Sequence, residues 1–242
     1  LLLKNGVNIE AKSKYGSTPL MYAAYENKNP EVIETLIKHG ANIEAKADDG
    51  WTALMYAAYG NKNPEVIETL IKHGANIEAK SKDGWTPLME AAIYNENPEI
   101  IETLLKNGAN IEAKNKYGST PLMLAAYGNK NPEVIETLIK HGADVNAKKD
   151  DGWTPLMYAA QGNKNPEVIE TLIENGANIE AKNDDGWTAL MFAAGWNENP
   201  EIIETLIKHG ANIEAKADDG WTALMFAAGW NENPEIIETL IK

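Results

Sequence analysis

Residues 48–74 read DDGWTALMYAAYGNKNPEVIETLIKHG and carry the start and stop signals of two short helices. A tight turn, Asp-Asp-Gly, comes first, and Thr52 is then a suitable N-cap for the first helix. Asn63 and Pro64 open the second helix, because asparagine caps helix N-termini and proline fits the first helical position. Gly74 is typical of the position just after a helix end. The stretch therefore predicts two helices joined by a short polar connection.

The same pattern recurs along the whole chain. The turn glycine returns at 34-residue intervals, as Gly16, Gly50, Gly84, Gly118, Gly152, Gly186 and Gly220. Each second helix has an apolar stripe, such as Val66, Ile67, Leu70 and Ile71, that must be buried. Helices of two or three turns are not stable alone in water, so neighbouring repeats must bury these stripes. The periodicity predicts a stacked array with one continuous core.

The composition limits the partners that we expect. The chain has 242 residues, no cysteine and a formal net charge of −14, with lysine as its only Lys/Arg residue. An acidic chain is a poor ligand for a phosphate backbone, so we expect no nucleic acid. No apolar run approaches the roughly 20 residues that span a bilayer, so we expect no membrane partner. The lack of cysteine and of a signal peptide favours a cytoplasmic location, and the start at Leu1 suggests a fragment of a longer protein.

Three segments of one repeat carry a family resemblance. They are DGWTPLMYAA at 151–160, EVIETLI at 167–173 and GANIEAK at 176–182, and together they resemble the ankyrin repeat. The resemblance implies an all-α solenoid of stacked helix-turn-helix units with short β-hairpin loops. We expect a single array over residues 1–242, with a partial unit at 1–15. Seven units then start near residues 16, 50, 84, 118, 152, 186 and 220, the last one truncated.

The chain departs from the family pattern in three ways. Its period is 34 residues where the family has about 33, and the extra residue, between the helices, is expected to lengthen only a surface turn. Methionine replaces the family's histidine after Thr-Pro-Leu, so we expect apolar packing there in place of a polar network. The asparagine of the family's Asp-Val-Asn-Ala segment survives only as Asn146, and glutamate replaces it elsewhere.

The resemblance implies that a partner binds along a concave face formed by the turn tips and the first helices. The aromatic residues of the tips are Trp51, Trp85, Trp153, Trp187 and Trp221, with Tyr15 and Tyr117 in the two turns that have serine after the glycine. With repeats about 10 Å apart, these residues would form a ladder about 60 Å long. Its acidic edge would consist of Asp49, Asp83, Asp151, Asp185 and Asp219. We expect a protein or peptide partner with apolar anchors and basic neighbours, unless Asp-Gly-Trp-Thr is only the ordinary chemistry of such turns.

A second set of candidate contact residues lies at the end of the first helices, where the repeats differ most. Its members are Tyr25, Tyr59, Tyr94, Tyr127, Trp196 and Trp230. Variation within a nearly identical array is expected of residues fitted to a ligand. It is equally expected of solvent-facing positions that drift.

The sequence contains no pattern of catalytic or metal-binding residues. His39, His73, His141 and His209 recur at helix ends, where a partly cationic imidazole is favoured, and they lie too far apart in sequence for a metal site. The exposed aspartate pairs lack the enclosed pocket that would separate two carboxyl pKa values. We therefore expect no metal, no cofactor and no enzymatic activity, and interpret the chain as a protein-interaction scaffold.

Three other interpretations stay open. The identity of residues 186–208 and 220–242 fits an engineered or consensus-like array as well as recent duplication, whereas differences such as Glu90 fit duplication with drift. A regulatory repeat segment of a larger enzyme or toxin would have its catalytic part elsewhere. Neither end of the chain has an evident polar cap, so end-to-end self-stacking through the termini is also expected.

Overall fold

The computed structural model describes residues 6–242, and this part of the chain contains fourteen helices and no strand. Contacts divide the chain into two units. Unit 1, Leu1–Tyr117, contains α1 (Pro19–Glu26), α2 (Pro30–Lys38), α3 (Ala53–Gly60), α4 (Pro64–Lys72), α5 (Pro87–Tyr94) and α6 (Pro98–Lys106). Unit 2, Gly118–Lys242, contains α7 (Pro121–Gly128), α8 (Pro132–Lys140), α9 (Pro155–Gly162), α10 (Pro166–Glu174), α11 (Ala189–Trp196), α12 (Pro200–Lys208), α13 (Ala223–Trp230) and α14 (Pro234–Ile241). The expected stacking end at Leu1 lies outside the described residues.

The helices begin where the sequence predicts. The Oγ1 of Thr52 accepts a hydrogen bond from the amide of Met55 (3.4 Å), and Asn63 Oδ1 accepts one from the amide of Glu65 (3.1 Å). These bonds satisfy amides that have no partner within their own helix. The predicted repeat of two capped helices is confirmed, and each unit is an all-α solenoid of stacked helix pairs.

The core of each unit lies between successive helix pairs. First helices pack on first helices, α3 on α1 and α5, because Ala57 and Ala58 allow close approach. The methionine of the first helix is buried in α1, α3, α5, α7, α9 and α11, which confirms the expected apolar packing at this position. Met225 in α13 is 51 % exposed.

A polar network crosses between repeats at the connection between the paired helices. Asn61 is 2 % exposed, and its Nδ2 donates to the carbonyls of Ala24 (2.8 Å) and Asn27 (2.9 Å) in the preceding repeat. Its Oδ1 accepts from the amide of Asn63 (2.9 Å). The expectation that this connection only lengthens a surface turn is wrong, because one amide side chain links two repeats from a buried position. Equivalent pairs of donated bonds are made by Asn95, Asn163, Asn197 and Asn231.

The long loops between repeats are also linked by side chains. Glu44 Oε1 accepts a hydrogen bond from the amide of Asn76 in the next repeat (2.8 Å). Asn146 occupies the same position in unit 2, where its Oδ1 accepts from the amide of Asn178 (2.8 Å) and its Nδ2 donates to Gly176 O (2.9 Å). Glutamate therefore keeps the bond that asparagine accepts and gives up the bond that asparagine donates.

The turn tips are closed hairpin turns that contact one another. The amide of Ala47 donates to Trp51 O (3.0 Å), and the amide of Gly50 donates to Ala47 O (3.0 Å). Within each unit, a tip receives a backbone bond from the tip that follows it, as from the amide of Lys82 to Asp49 O (2.9 Å). These backbone bonds fix the spacing of the tips within a unit.

Two glycines with positive φ allow the effect of backbone strain to be measured separately from the effect of close approach between repeats. Gly50 (φ +88°) and Gly74 (φ +94°) have similar backbones, but only at Gly50 would a Cβ meet the next repeat, 2.9 Å from Lys82 N. We expect Gly74→Ala to lower the free energy of unfolding by about 1 kcal/mol, from backbone strain alone. Gly50→Ala should cost about 2 kcal/mol, because it also displaces the Lys82 amide from its partner. Urea denaturation measures both costs, and equal values would contradict the role of the close approach.

Candidate partner-binding surface

The turn tips and the first helices of each unit form one surface, which we call the tip surface. Its tryptophans are half-buried, and all except Trp85 make an aromatic ring contact with the first helix of their own repeat. The ring centroid of Trp51 is 5.1 Å from that of Tyr56, and the same contact recurs for Trp153 with Tyr158 at 5.0 Å. Trp187 with Phe192 (5.4 Å) and Trp221 with Phe226 (5.6 Å) repeat it in the later tips. One part of each indole therefore contributes to folding, and the other part stays accessible.

Three residues of the second candidate set form a chain of ring contacts with Trp51 in unit 1. The ring of Tyr59 lies 5.5 Å from Trp51, 5.9 Å from Tyr25 and 4.8 Å from Tyr94. Tyr94 is exposed and Tyr25 is half-buried. In unit 1 the structure thus places Trp51 and three members of the second set on one aromatic surface.

Unit 2 shows a denser aromatic cluster. Trp196 stacks on Trp230 with ring centroids 5.2 Å apart, and each stacks on the tryptophan of its own tip, at 5.7 Å from Trp187 and 5.1 Å from Trp221. Tyr127 lies 6.3 Å from Tyr158 in an edge-on contact. The large ring area that these contacts leave exposed suits the apolar anchors of a partner.

The two tips with serine replace the indole by a hydrogen bond. Ser17 Oγ lies 3.1 Å from the hydroxyl of Tyr56, and Ser119 Oγ lies 3.3 Å from the hydroxyl of Tyr158, each in the following repeat. Tyr15, beside the first of these serines, is 62 % exposed. Tyr117, which precedes Gly118, is 61 % exposed. Both tyrosines are therefore accessible from solvent.

The aspartates of the tips have two kinds of surroundings. Asp49, Asp83, Asp185 and Asp219 are exposed, and Asp49 Oδ1 also accepts a hydrogen bond from the amide of Trp51 (2.9 Å). Asp151 is half-buried and its Oδ2 lies 2.8 Å from Lys149 Nζ. Four of the five aspartates are therefore exposed, and at Asp151 a lysine of the same turn pairs with the carboxylate.

The sequence interpretation missed the role of Glu90, which it treated only as a sign of drift. Glu90 lies in α5 at the position held by Tyr56 in α3 and Phe192 in α11, and it is 2 % exposed. Burial away from water raises the pKa of its carboxyl group to about 8, and the charge of Asp49 adds to the shift. The signal in the sequence is a carboxylate in a register that is otherwise aromatic or leucine.

Glu90 belongs to a groove of about 550 Å³ in unit 1, which we call the Glu90 groove. Aromatic side chains form its walls, and two turn aspartates lie at its edge. The residues that matter for recognition are Trp51, Tyr59, Trp85, Tyr94, Asp49 and Asp83, together with Tyr117. The groove combines exposed ring faces with negative charge, which is the chemistry that attracts cations.

The histidines lie at helix C-termini. The Nδ1 of His73 is 2.8 Å from the carbonyl of Thr69, and His39, His141 and His209 make the same contact. Asn107 makes an equivalent bond from its Nδ2 to Thr103 O (2.8 Å), so asparagine and histidine both supply a hydrogen-bond donor at this position. Within residues 6–242, no three His, Cys, Asp or Glu side chains cluster in a way that could hold a metal ion.

Helix length and hydropathy bear on the membrane question. None of the helices described between residues 6 and 242 is both long enough and apolar enough to cross a bilayer.

Comparison with known proteins agrees with this architecture. The sequence model described as "Ankyrin repeats (3 copies)" matches residues 1–47, 27–115, 88–183 and 156–242. No curated protein shows significant sequence similarity to the chain. Among solved structures, the chain is similar to the ankyrin repeat domain of Bcl-3, described as a unique member of the IkappaB protein family. The identity is 26% and the TM-score 0.71, over 95% of this chain and 100% of that one. The chain therefore belongs to the ankyrin repeat family.

Proposed function

We propose that the tip surface binds an extended or helical segment of a partner protein, and that the chain acts as a non-enzymatic scaffold. Ankyrin repeats are protein-interaction modules, and repeat arrays in general present extended binding surfaces. The observation that carries the proposal is the row of half-exposed rings, Trp51, Tyr59 and Tyr94 in unit 1 and Trp187, Trp196 and others in unit 2. Rigid aromatic side chains supply large contact areas at low entropic cost.

The charge distribution supports a basic partner over a nucleic acid. The net charge is −14, and the tip aspartates Asp49 and Asp83 are exposed beside the rings. A phosphate backbone would be repelled by such a surface, whereas lysine and arginine side chains beside apolar anchors would be attracted. End-to-end stacking of chains stays a prediction of the sequence.

Truncation of the tip surface in unit 1 tests the proposal. Trp85→Ala, Tyr94→Ala and Tyr117→Ala together should reduce capture of peptides selected from a random library on the wild-type protein by at least about tenfold, since hot-spot aromatics contribute 2 kcal/mol or more each. Surface plasmon resonance measures the loss of affinity. Trp187 is less suitable for this test, because it also packs on Phe192 and Phe226 and its loss would change stability.

A matched control truncates apolar side chains away from the tip surface. Ile71 in α4 and Leu105 in α6 are half-exposed on second helices, so Ile71 is not buried with the other members of its predicted apolar stripe. Ile71→Ala with Leu105→Ala should leave the affinity for the selected peptides unchanged. Equal losses in the two variants, or an undiminished affinity of the tip variant with unchanged circular dichroism, would reject the tip surface as the binding site.

A further inference from the structure

Glu90 is a buried carboxyl group without a hydrogen-bonding partner in the described part of the protein. Its side chain is 2 % exposed, and no hydrogen bond to its carboxyl oxygens is found within residues 6–242. No fully buried side-chain oxygen in this part of the protein lacks a hydrogen-bonding partner, so the carboxyl oxygens must reach the open space beside them. It nevertheless lines the Glu90 groove, so its carboxyl group is directed at an open space rather than into the apolar core. A buried carboxyl group of this kind costs stability unless something outside the chain compensates for it.

The walls of the groove are suited to one kind of ligand. Trp51, Trp85 and Tyr94 line the groove with aromatic rings, whose faces attract cations, and the exposed Asp49 and Asp83 add negative charge. An apolar side chain would gain from the rings but would leave the carboxyl group without a partner. An anion would be repelled by Asp49 and Asp83 and would oppose ionisation of Glu90. A cation uses every one of these features.

We propose that the Glu90 groove binds one cationic side chain of the partner segment, a lysine ammonium or an arginine guanidinium, with the Glu90 carboxylate as its counter-ion. The inference rests on the proposed binding of a protein segment at the tip surface and adds the chemistry of one anchor. The ring faces of Trp51, Trp85 and Tyr94 contact the alkyl chain and the cationic head.

Binding of the cation is coupled to release of a proton. In the free protein the pKa of Glu90 is raised to about 8 by burial, so the carboxyl group is protonated near neutral pH. The arriving positive charge favours the carboxylate, and the proton passes to the solvent. The other groups that face the groove are Asp49, Asp83, Tyr59, Tyr94 and Tyr117. Burial and the charge of Glu90 raise the pKa of Tyr94, which therefore keeps its proton.

Amino-acid amides with matched side chains test the cation directly. The probes are Nα-acetyl-arginine amide, Nα-acetyl-lysine amide and the neutral isostere Nα-acetyl-citrulline amide, with the indole N–H signals of Trp51 and Trp85 followed by NMR. We expect one or both cationic probes to bind at least about tenfold more tightly than the citrulline probe. The affinity should rise by up to about tenfold per pH unit below the pKa of Glu90 and level off above it. Binding of the citrulline probe as tight as that of both cations would overturn the proposal.

Two variants assign the effect to Glu90. Glu90→Gln removes the carboxylate with little change of shape, and it should abolish both the preference for a cation and the rise of affinity with pH. Glu99→Gln makes the same substitution at an exposed position of α6, and it should behave like the wild type. Persistence of the pH-dependent binding in Glu90→Gln would contradict the role of Glu90.

A measurement on the wild-type protein avoids any dependence on folding of a variant. Carboxyl carbon NMR should show the pKa of Glu90 falling when Nα-acetyl-arginine amide or Nα-acetyl-lysine amide saturates the groove. An unchanged pKa at saturation would overturn the proposal. Loss of peptide capture in the tip variant, combined with no cation preference in the probes, would leave the proposed function standing and reject only this inference.

Discussion

Replacement of Asn197 by alanine is expected to lower the free energy of unfolding by about 3 kcal/mol. Its Nδ2 donates to the carbonyls of Ala160 (2.9 Å) and Asn163 (2.9 Å), and its Oδ1 accepts from the amide of Asn199 (3.0 Å). Asn197 is buried, so the truncated side chain leaves these backbone groups with little access to water. Each unsatisfied buried group costs roughly 1–3 kcal/mol, partly offset by solvent that enters the cavity. Urea denaturation followed by circular dichroism measures the loss.

An exposed asparagine of the same unit provides the control. Asn178 Oδ1 accepts a single hydrogen bond from the amide of Glu180 (3.1 Å), and its side chain faces solvent. Asn178→Ala should therefore cost less than about 1 kcal/mol. Similar costs for Asn178→Ala and Asn197→Ala would show that the buried bonds between repeats do not carry the stability that we assign to them.

The helices could be predicted because their signals are local. Thr52 and Asn63 cap helices with their own side chains, and the ring of Pro64 restricts its own backbone conformation. Such signals need no knowledge of distant residues. The 34-residue period then implies stacking, since no single pair of short helices can bury its apolar face.

The bonds between repeats could not be predicted, because their partners are distant in sequence. Asn61 contacts Ala24 and Asn27, and nothing in the stretch around Asn61 distinguishes a buried amide from an exposed turn residue. The same holds for the glutamate of the long loop, where Glu44 reaches the amide of Asn76. In both examples the arrangement of neighbouring repeats determines the hydrogen-bonding partner. The sequence indicates that arrangement only because the same residue recurs in successive repeats.

The aromatic residues of the candidate surface could be named from the sequence, but the buried Glu90 between them could not. Trp51, Tyr59 and Tyr94 were named from the tips and helix ends, and the structure places their rings in contact. Glu90 occupies a position that is aromatic or leucine in the other repeats, and a single difference of this kind does not by itself indicate a buried carboxyl group. Only the packing of its neighbours gives that residue its chemical character.

Glu90→Gln is expected to stabilise the protein at neutral and alkaline pH. Below pH 4.5 the carboxyl group is protonated in the folded and the unfolded chain, so its charge does not affect stability. As the pH rises from 4.5 to about 8, the unfolded chain releases this proton and the folded chain retains it. The folded state then binds more protons, so the wild-type protein loses stability over this interval and reaches a plateau above it. Glutamine has no carboxyl proton to release, so Glu90→Gln does not show this decrease in stability.

The size of the effect follows from the shift of the Glu90 pKa. A rise from 4.5 to about 8, at about 1.4 kcal/mol per unit, sets an upper bound of about 5 kcal/mol, and we expect a gain of a few kcal/mol above pH 8. Urea midpoints for the wild type and Glu90→Gln should coincide near pH 4 and separate progressively up to pH 8. The exposed control Glu99→Gln should follow the wild type throughout. Parallel profiles of wild type and Glu90→Gln would contradict the burial of Glu90.

The sign of this effect distinguishes a binding residue from a structural one. A residue that only supports the fold should cost stability when it is replaced, whereas replacement of Glu90 by its neutral isostere should increase stability. Unfavourable burial of this kind is typical of groups that bind a ligand, because binding of the ligand then offsets the free energy that burial costs. A cationic probe that binds the Glu90 groove should therefore reduce the difference in free energy of unfolding between the wild type and Glu90→Gln at pH 8. If this difference is unaffected at saturating probe, the unfavourable burial of Glu90 is unrelated to binding.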